Sequence, residues 1–173
     1  NEEIRLPRYV DSLERLRYDN LHHILVDNNS KDNSVAFLRK NRPSIIIFES
    51  KTNLGLDAGY NLAIRKALEF EPDYILVSVV DVVLDPDCLT HQVEKMESDP
   101  KIGIVGPILF HDNDPDIVQS YGFRVDSRSV SAEPLYAGRV EQHELPDCIE
   151  ADYVDGGTTL IRRSVIEQLG GMD

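Results

Sequence analysis

Apolar residues occur along this chain in two kinds of pattern, which predict strands and helices in alternation. Runs of consecutive apolar residues between turn formers are typical of buried strands. Apolar residues that recur every three or four positions are typical of amphipathic helices. These patterns predict strands at 24–26, 45–48, 74–80 and 102–105. They predict helices at 4–18, from 33 or 34 to 41, at 58–70 and from 86 onward.

The order of these elements predicts the architecture. Strands that alternate with helices at this spacing favour an α/β fold with a parallel sheet and right-handed crossovers. The run at 74–80 is apolar throughout, as expected of a strand covered on both faces. From Pro107 to about residue 150 the apolar runs are shorter, and irregular loops with antiparallel strands are expected. A short strand at 158–161 and a helix at 165–169, ended by Gly170, complete the pattern.

Polar residues follow three of the predicted strands. Asp27 follows the first strand, a loop with Asn53 and Gly55 follows the second, and Asp81 follows the third. Because the carboxyl ends of parallel strands lie at one edge of a sheet, we expect these residues to share one cleft. Asp57 is expected to cap the next helix, whose N-terminal N–H groups would face an anion in that cleft.

Asp81 is a candidate ligand for a divalent cation. Mg²⁺ usually binds through one or two carboxylates together with waters and substrate phosphates. Beside a helix N-terminus, such an Asp predicts a site for a nucleoside diphosphate. A simpler interpretation stays open for each feature: Asp27-Asn28-Asn29 as an Asx turn, Gly55 and Gly59 as ordinary turn and helix-start glycines, and Asp81 as a strand-end cap.

The composition narrows the classes of function. A chain of 173 residues is long enough for one domain with a substantial core. Its net charge of −13 argues against general nucleic-acid binding, so a phosphate-bearing ligand would need local positive charge. Cys88 and Cys148 form no metal-binding pattern and are expected to be free thiols. No run is long enough for a membrane span and no signal peptide is evident, so a cytoplasmic protein is expected.

Four segments resemble motifs of the family 2 glycosyltransferases. Residues 24–34, ILVDNNSKDNS, resemble the VDNxSxDxS segment, and residues 53–61, NLGLDAGYN, resemble the NxGxxxGxN segment. Residues 81–87, DVVLDPD, resemble the stretch that begins at the family's metal-binding Asp. Residues 156–163, GGTTLIRR, together with 170–173, GGMD, resemble the later GxxxxIRR…GGxD segment. The segments follow the family's order and look most similar to its rhamnosyltransferase-like branch.

The resemblance implies a GT-A fold, in which a Rossmann-like, mainly parallel sheet is flanked by helices. Residues 1–106 would form the nucleotide-sugar-binding half, and residues 107–173 an incomplete acceptor-side half, of one continuous domain. The donor would be a nucleotide-diphosphate sugar, with Mg²⁺ or Mn²⁺ bound at Asp81. The family's nucleotide-sugar-binding positions correspond to Asp27, Asn29, Ser30, Asn53, Gly55, Asn61, Gly156 and Gly157. In this likeness Asp27 bonds to the base, and the last two glycines lie by the donor sugar or the acceptor.

The implied reaction is transfer of the sugar, with inversion, to a hydroxyl of a glycan or lipid-linked saccharide in cell-surface polysaccharide synthesis. The enzyme would work in the cytoplasm, with peripheral association at the inner face of the membrane. Two other functions remain open. One is an inactive or truncated domain that binds nucleotide sugars, and the other is a nucleotidyltransferase-like enzyme.

The chain departs from the family pattern in three places. Val79 stands where the family usually has Asp or Asn, which weakens the implied metal site. The family's central first strand would precede the helix at residue 4, and its catalytic base lies beyond the position of Asp173. We therefore expect a chain truncated at both ends, with the catalytic base outside it.

Several side chains outside these motifs have two interpretations. Tyr121, Tyr136 and Tyr153 could stack on sugar rings, although core packing is expected for at least two of them. Arg162 and Arg163 could contact a phosphate or lie solvated at a strand end. The five histidines have no spacing that predicts a zinc site.

Overall fold

A computed structural model describes residues 1–126, 128, 131–139 and 144–172, within which there are five helices and ten strands. The helices are α1 (Leu6–Arg15), α2 (Ser34–Asn41), α3 (Leu56–Leu68), α4 (Cys88–Ser98) and α5 (Arg163–Leu169). The strands are β1 (Ile24–Asp27), β2 (Ile46–Glu49), β3 (Tyr74–Ser78), β4 (Ile104–Val105), β5 (Leu109–His111), β6 (Asp114–Ser120), β7 (Phe123–Asp126), β8 (Ser131–Pro134), β9 (Gly138–Arg139) and β10 (Thr158–Arg162). The predicted elements are present, with ends that differ by a few residues.

The observed sheets combine parallel and antiparallel pairs. β1 and β2 do run parallel, with Ile24 opposite Ile46 and Asp27 opposite Glu49. β3 and β4 instead flank β10, which is antiparallel to both. Among the described residues no strand joins β1 to β3. The α/β fold class is confirmed, but the insertion of β10 was not predicted, because β10 comes from far along the chain and the local alternation of helix and strand contains no information about it.

The helix α1 anchors the first core cluster. Its inner side chains Leu6, Val10 and Leu13 are buried against Leu38 of α2 and against β1 and β2. Pro7 lies in the first turn, where a missing N–H costs nothing. The sequence pattern placed Ile4 in the same apolar face, but Ile4 is almost fully exposed because the helix begins two residues later.

The strand β3 is covered on both faces, as predicted. Ile75 and Val77 pack with α3 and α5 in one buried cluster. Leu76 and Tyr74, whose side chains point to the opposite face, border a second cluster around Leu160 and α4. No helix among the described residues is long and apolar enough to cross a membrane.

The start of α3 differs from the prediction, whereas α2 begins where it was predicted. α3 begins at Leu56 rather than Ala58, after Gly55 with a φ of +83°, so that Asp57 lies inside the first turn. At α2 the capping acceptor is Asp32, whose Oδ1 accepts hydrogen bonds from the Ser34 N–H at 3.1 Å and the Ser34 hydroxyl at 2.6 Å. A carboxylate in a short turn can reach the amide two residues on, which an Asn at the cap position does not do here.

The region after residue 107 is antiparallel, as predicted. β5, β6 and β9 form one small sheet, and β7 and β8 form a hairpin. Arg8 of α1 donates two hydrogen bonds to the Asp112 carboxylate, at 2.6 and 2.7 Å, and so connects this region to the first half. Such a bidentate pair fixes orientation more than it adds stability, because both side chains are exposed.

Candidate functional site

The end of β1 forms a tight turn around Asp27. Asp27 is only 7% exposed, and its carboxylate accepts the Ser30 N–H at 3.1 Å, while Asn29 adopts a φ of +67°. The Asx-turn interpretation is therefore realised. A carboxylate can accept about four hydrogen bonds, so Asp27 keeps capacity for a ligand donor as well.

Asn28 connects this turn to the loop after β2. Its Nδ2 donates to the Gly55 carbonyl at 2.9 Å, and its Oδ1 accepts the Leu54 N–H at 2.7 Å. A Cβ at Gly59 would lie 3.4 Å from the same Nδ2. The structure thus brings the ends of β1 and β2 together through a side chain that sequence reasoning left unassigned. The sequence feature that could have identified this role is an amide residue, Asn28, directly after the strand-end carboxylate Asp27.

The loop at Asn53–Gly55 presents the N-terminus of α3 to solvent. Asn53 is exposed, and its Oδ1 accepts the Gly55 N–H at 2.9 Å. Gly55 needs its positive φ but has open space where a side chain would be, so glycine is required for conformation and not for packing. The N–H groups of the first turn of α3 have no acceptor within the helix and can receive an anion.

Asp81 lies in the turn after β3 with 49% of its side chain exposed. Its Oδ2 is 3.6 Å from Nη1 of Arg5, a residue that sequence reasoning did not connect to the site. No group of three or more His, Cys, Asp or Glu side chains that could hold a metal occurs among the described residues. One accessible carboxylate suits a cation that takes its other ligands from substrate phosphates and water.

Gly156 and Gly157 lie directly beside the Asp81 turn. The Val79 N–H donates to the Gly157 carbonyl at 3.0 Å, which continues the pairing of β3 with β10. A Cβ at Gly157 would lie 3.7 Å from Val82 Cγ1 and 3.1 Å from Asp155 Oδ1. Asp155 also accepts the Gly157 N–H at 2.9 Å and so fixes this turn.

Tyr60 of α3 lies close enough to Asp81 for the two side chains to interact electrostatically. Burial raises the pKa of Tyr60, and the negative charge of Asp81 and the nearby Tyr153 hydroxyl raise it further. Tyr60 therefore stays neutral and can donate a hydrogen bond at neutral pH. Tyr60 therefore connects α3, which begins after the loop at Asn53–Gly55, with Asp81 after β3.

The first five residues cross from one strand end to the other. The Glu2 N–H donates to Ser34 Oγ at 3.1 Å, and Asn1 Oδ1 accepts the Lys31 N–H at 2.6 Å. Arg5, three residues further, reaches Asp81. The turn after β1 and the turn after β3 are thus connected, although no strand described here lies between β1 and β3.

Asn61 is engaged elsewhere, although the sequence motif suggests nucleotide contact. Its Nδ2 donates to the Met172 carbonyl at 2.7 Å, and its Oδ1 accepts the Met172 N–H at 2.8 Å. Gly171 has a φ of +128°, and a Cβ there would collide with Asn61 Oδ1. In this structure Asn61 therefore holds the turn that follows α5. Asp173 lies outside the described residues.

Two basic side chains have structural partners. Arg162 donates to the backbone carbonyls of Met96 at 2.7 Å and Ile102 at 3.0 Å, so neither the phosphate nor the solvated interpretation describes it. His23 lies 3.1 Å from Arg42 Nη2 through its Nδ1. Burial, with the positive charge of Arg42, lowers the pKa of His23 to about 4. Of the other histidines, His143 lies outside the described residues.

Comparison with solved structures shows where this fold recurs. A mannosyltransferase from Pyrobaculum calidifontis, solved in complex with GDP-Man and Mn²⁺, superimposes with a TM-score of 0.69 at 18% sequence identity. The match covers 99% of this chain but 44% of the mannosyltransferase. HddC from Yersinia pseudotuberculosis gives a TM-score of 0.45 at 13% identity, over 95% of this chain and 64% of that one, too weak a likeness to indicate a shared fold.

Comparison with sequences gives a more direct assignment. No curated protein matches the chain. The model of the family described as "Glycosyl transferase family 2" matches residues 1–170, which is nearly the whole chain. Together with the structural match this establishes a GT-A fold, in the mixed-sheet form described above. The chain is therefore a member of glycosyl transferase family 2.

Proposed function

We propose that this chain forms the donor-binding part of a glycosyltransferase that uses a nucleotide-diphosphate sugar. One set of contacts carries the proposal: Asn28 connects the turn after β1 to the loop before α3, and Tyr60 of α3 interacts electrostatically with Asp81. We infer that these three segments border one opening. The mannosyltransferase from Pyrobaculum calidifontis binds GDP-Man and Mn²⁺, and the same class of donor suits this opening. The chain spans less than half of that enzyme, so the whole activity is part of the proposal.

The donor is assigned to residues 1–106 and the acceptor to residues 107–173. In this assignment Asp27 accepts a hydrogen bond from the base, and Asn29 and Ser30 border it. The amides at the start of α3 bind the diphosphate, where the helix dipole favours negative charge. Gly156 and Gly157 leave room beside the transferred sugar.

The proposed metal is Mg²⁺ or Mn²⁺ held by Asp81 and by oxygens of the diphosphate. Such an ion neutralises charge that develops on the leaving diphosphate. Arg5 forms an ion pair with the Asp81 carboxylate in this structure, so this ion pair would have to break when the metal ion binds. Because Val79 offers no second carboxylate, the substrate oxygens complete the ligand set.

The proposed acceptor is a hydroxyl of a glycan or lipid-linked saccharide in cell-surface polysaccharide synthesis, at the cytoplasmic face of the membrane. Inverting transfer requires a base on the face of the sugar opposite the leaving group. We assign that base to a position after Asp173.

A second candidate is a domain that binds nucleotide sugars without transferring them. The single carboxylate at the metal position and the engagement of Asn61 with Met172 favour it. A third, nucleotidyl transfer, would use the same diphosphate chemistry but would release pyrophosphate from a nucleoside triphosphate.

Calorimetric titration with UDP, GDP, dTDP and their sugars, each with and without Mn²⁺, tests the proposal. We expect one base to bind best, with binding that Mn²⁺ strengthens about tenfold or more in the wild type and leaves unchanged in Asp81→Asn. Asp112→Asn is the matched control, because Asp112 is an exposed carboxylate that lies elsewhere and pairs with Arg8. The proposal is wrong if no nucleotide or nucleotide sugar binds. Transfer assays with the preferred donor separate the first candidate from the second, and pyrophosphate release would favour the third.

A further inference from the structure

Three tyrosines that could stack on a sugar differ in exposure. Tyr121 is 8% exposed, and its hydroxyl donates to the Pro146 carbonyl, so it is a core residue. Tyr136 is 46% exposed and Tyr153 is 51% exposed. Core packing was expected for at least two of the three, but only Tyr121 is buried. The remaining two rings differ in what lies beside them.

Tyr153 lies at the candidate site. Its hydroxyl is 3.8 Å from the position of a Cβ built at Gly156. Gly157, the next residue, contacts the turn that contains Asp81. Tyr60 interacts electrostatically with both Asp81 and Tyr153, so these three side chains are neighbours. Tyr136, in contrast, packs against Tyr121 with ring centroids 6.0 Å apart, in the antiparallel region.

The Tyr153 ring is held in place by β7. The Phe123 N–H donates to the Tyr153 carbonyl at 2.8 Å, and the Tyr153 N–H donates to the Phe123 carbonyl at 3.3 Å. The two rings pack with centroids 5.4 Å apart at an angle of 55°. Gly122 allows this approach, because a Cβ there would lie 2.7 Å from Ala151 Cβ. A ring that is already fixed loses little entropy when a ligand covers its exposed part.

An exposed aromatic ring beside a carboxylate and a neutral hydroxyl matches the chemistry of a pyranose. The ring face of tyrosine carries negative charge density, and the C–H face of a sugar is apolar and weakly positive. Hydroxyls at the rim of the sugar would bond to groups such as Asp81 and Tyr60. We propose that Tyr153 is a sugar-binding residue that receives a pyranose ring on its exposed face, an inference that rests on the proposed function.

Two sources could supply that pyranose: the glycosyl group of the donor or the terminal sugar of the acceptor. The donor sugar and the acceptor sugar both present an apolar face of C–H groups. The proposal therefore specifies a pyranose ring, and the experiment decides whether it comes from the donor or the acceptor. The chain contains no tryptophan. Tyr153→Trp therefore keeps a stacking ring and places the single tryptophan of the chain at the site, and Tyr136→Trp places it at a comparably exposed ring elsewhere.

The first measurement is emission of Tyr153→Trp during titration with the preferred nucleoside diphosphate, then its sugar, then methyl α-D-mannopyranoside and methyl α-L-rhamnopyranoside. A change with the nucleotide sugar but not with the nucleotide assigns the donor sugar. A change with a methyl glycoside, with or without nucleotide, assigns the acceptor sugar. Tyr136→Trp should not respond to either. No response of Tyr153→Trp to any sugar overturns the proposal.

The second measurement compares Tyr153→Ala with Tyr136→Ala. Loss of the ring should weaken binding of the assigned sugar ligand about three- to tenfold, and Tyr153→Trp should restore it. Binding of the nucleoside diphosphate alone should not change, and an equal loss there would show a structural effect and overturn the proposal. If calorimetry finds no nucleotide-sugar binding by the wild type, the proposed function fails, and the methyl glycoside titration still decides whether Tyr153 binds a sugar.

Discussion

Asn28 and Asn61 make the same pair of hydrogen bonds in two regions of the molecule. Each carboxamide donates to a backbone carbonyl and accepts from a backbone N–H, Asn28 with the Leu54–Gly55 loop and Asn61 with Met172. We call each of these pairs of hydrogen bonds a clamp. The clamp made by Asn28 lies between the turn after β1 and the loop after β2. The second joins α3 to the turn after α5. An asparagine in a sequence motif can therefore hold the chain rather than a ligand, and only the position of the bonded backbone shows what it affects.

The largest effect is expected from glycine substitution at the second clamp. Gly171→Ala combines a positive φ with a collision against Asn61, so we expect a loss of about 3 kcal/mol in the free energy of unfolding. Gly55→Ala, with a positive φ but open space, should lose only about 1 kcal/mol. Urea unfolding of both variants measures the difference. Equal losses would show that the contact with Asn61 contributes nothing.

A matched pair of substitutions separates the two clamps by function. Asn28→Asp and Asn61→Asp each keep the acceptor and remove the donor, which leaves one carbonyl unpaired and costs about 1–2 kcal/mol of stability. Only Asn28→Asp should also weaken binding of the preferred nucleoside diphosphate, by about tenfold, because it loosens the loop before α3 and adds negative charge beside it. Calorimetry and urea unfolding on both variants test this. A comparable loss of nucleotide affinity in Asn61→Asp would return Asn61 to the nucleotide site.

Acidification should lower the free energy of unfolding through His23, which lies directly before β1, without breaking the hydrogen bonds of Asn28 or Asn61. The pKa of His23 is lowered to about 4 in the folded chain, whereas an unfolded histidine titrates near its ordinary value. Below about pH 6.5, His23 is protonated in the unfolded chain but stays neutral in the folded chain. The free energy of unfolding therefore decreases as the pH falls to about 4, and below that pH His23 causes no further decrease. The loss should be about 1 kcal/mol, since the side chain is only partly buried.

The pH experiment needs a variant without the titrating group. His23→Gln should show a smaller decrease in urea midpoint between pH 7 and pH 5 than the wild type. Carboxylates contribute equally to both proteins, so the difference isolates His23. An identical pH dependence in the two proteins would contradict the assignment.

The smallest effect concerns Arg5 at Asp81. Exposed ion pairs contribute about 0.2–1 kcal/mol, so Arg5→Gln should strengthen metal binding by about two- to fivefold through loss of the competing cation. The Mn²⁺ concentration that gives half of the metal-dependent increase in nucleotide-sugar affinity measures it. Weaker metal-dependent binding in Arg5→Gln would instead show that Arg5 itself contacts the diphosphate.

Local sequence signals predicted the elements but not their arrangement. The apolar spacing of α1 and the two-sided burial of β3 follow from periodicity, because each depends on neighbours along the chain. The insertion of β10 between β3 and β4 depends on residues that are 55 to 88 positions apart, and nothing in the local pattern specifies it. The same limit applies to Arg5, whose partner Asp81 is distant in sequence.

The candidate site was partly predictable for the same reason. The resemblance identified the segments at Asp27, Asn53 and Asp81, and contacts of Asn28, Tyr60 and Arg5 connect parts of these segments in the structure. It also assigned Asn61 to the nucleotide, and it could not predict the two hydrogen bonds between Asn61 and Met172, because a motif records which residue is present and not which backbone it bonds. Tyr153 could be singled out only when the structure showed which of three similar tyrosines lies beside the glycines at 156 and 157.

The most direct test of the shared opening is an amide NMR titration with the preferred nucleoside diphosphate and Mg²⁺. Resonances of Ser30, Gly55 and Val82, on three separate turns, should shift together and give one dissociation constant. Shifts confined to one of these turns, with the other two unaffected at saturation, would contradict the account.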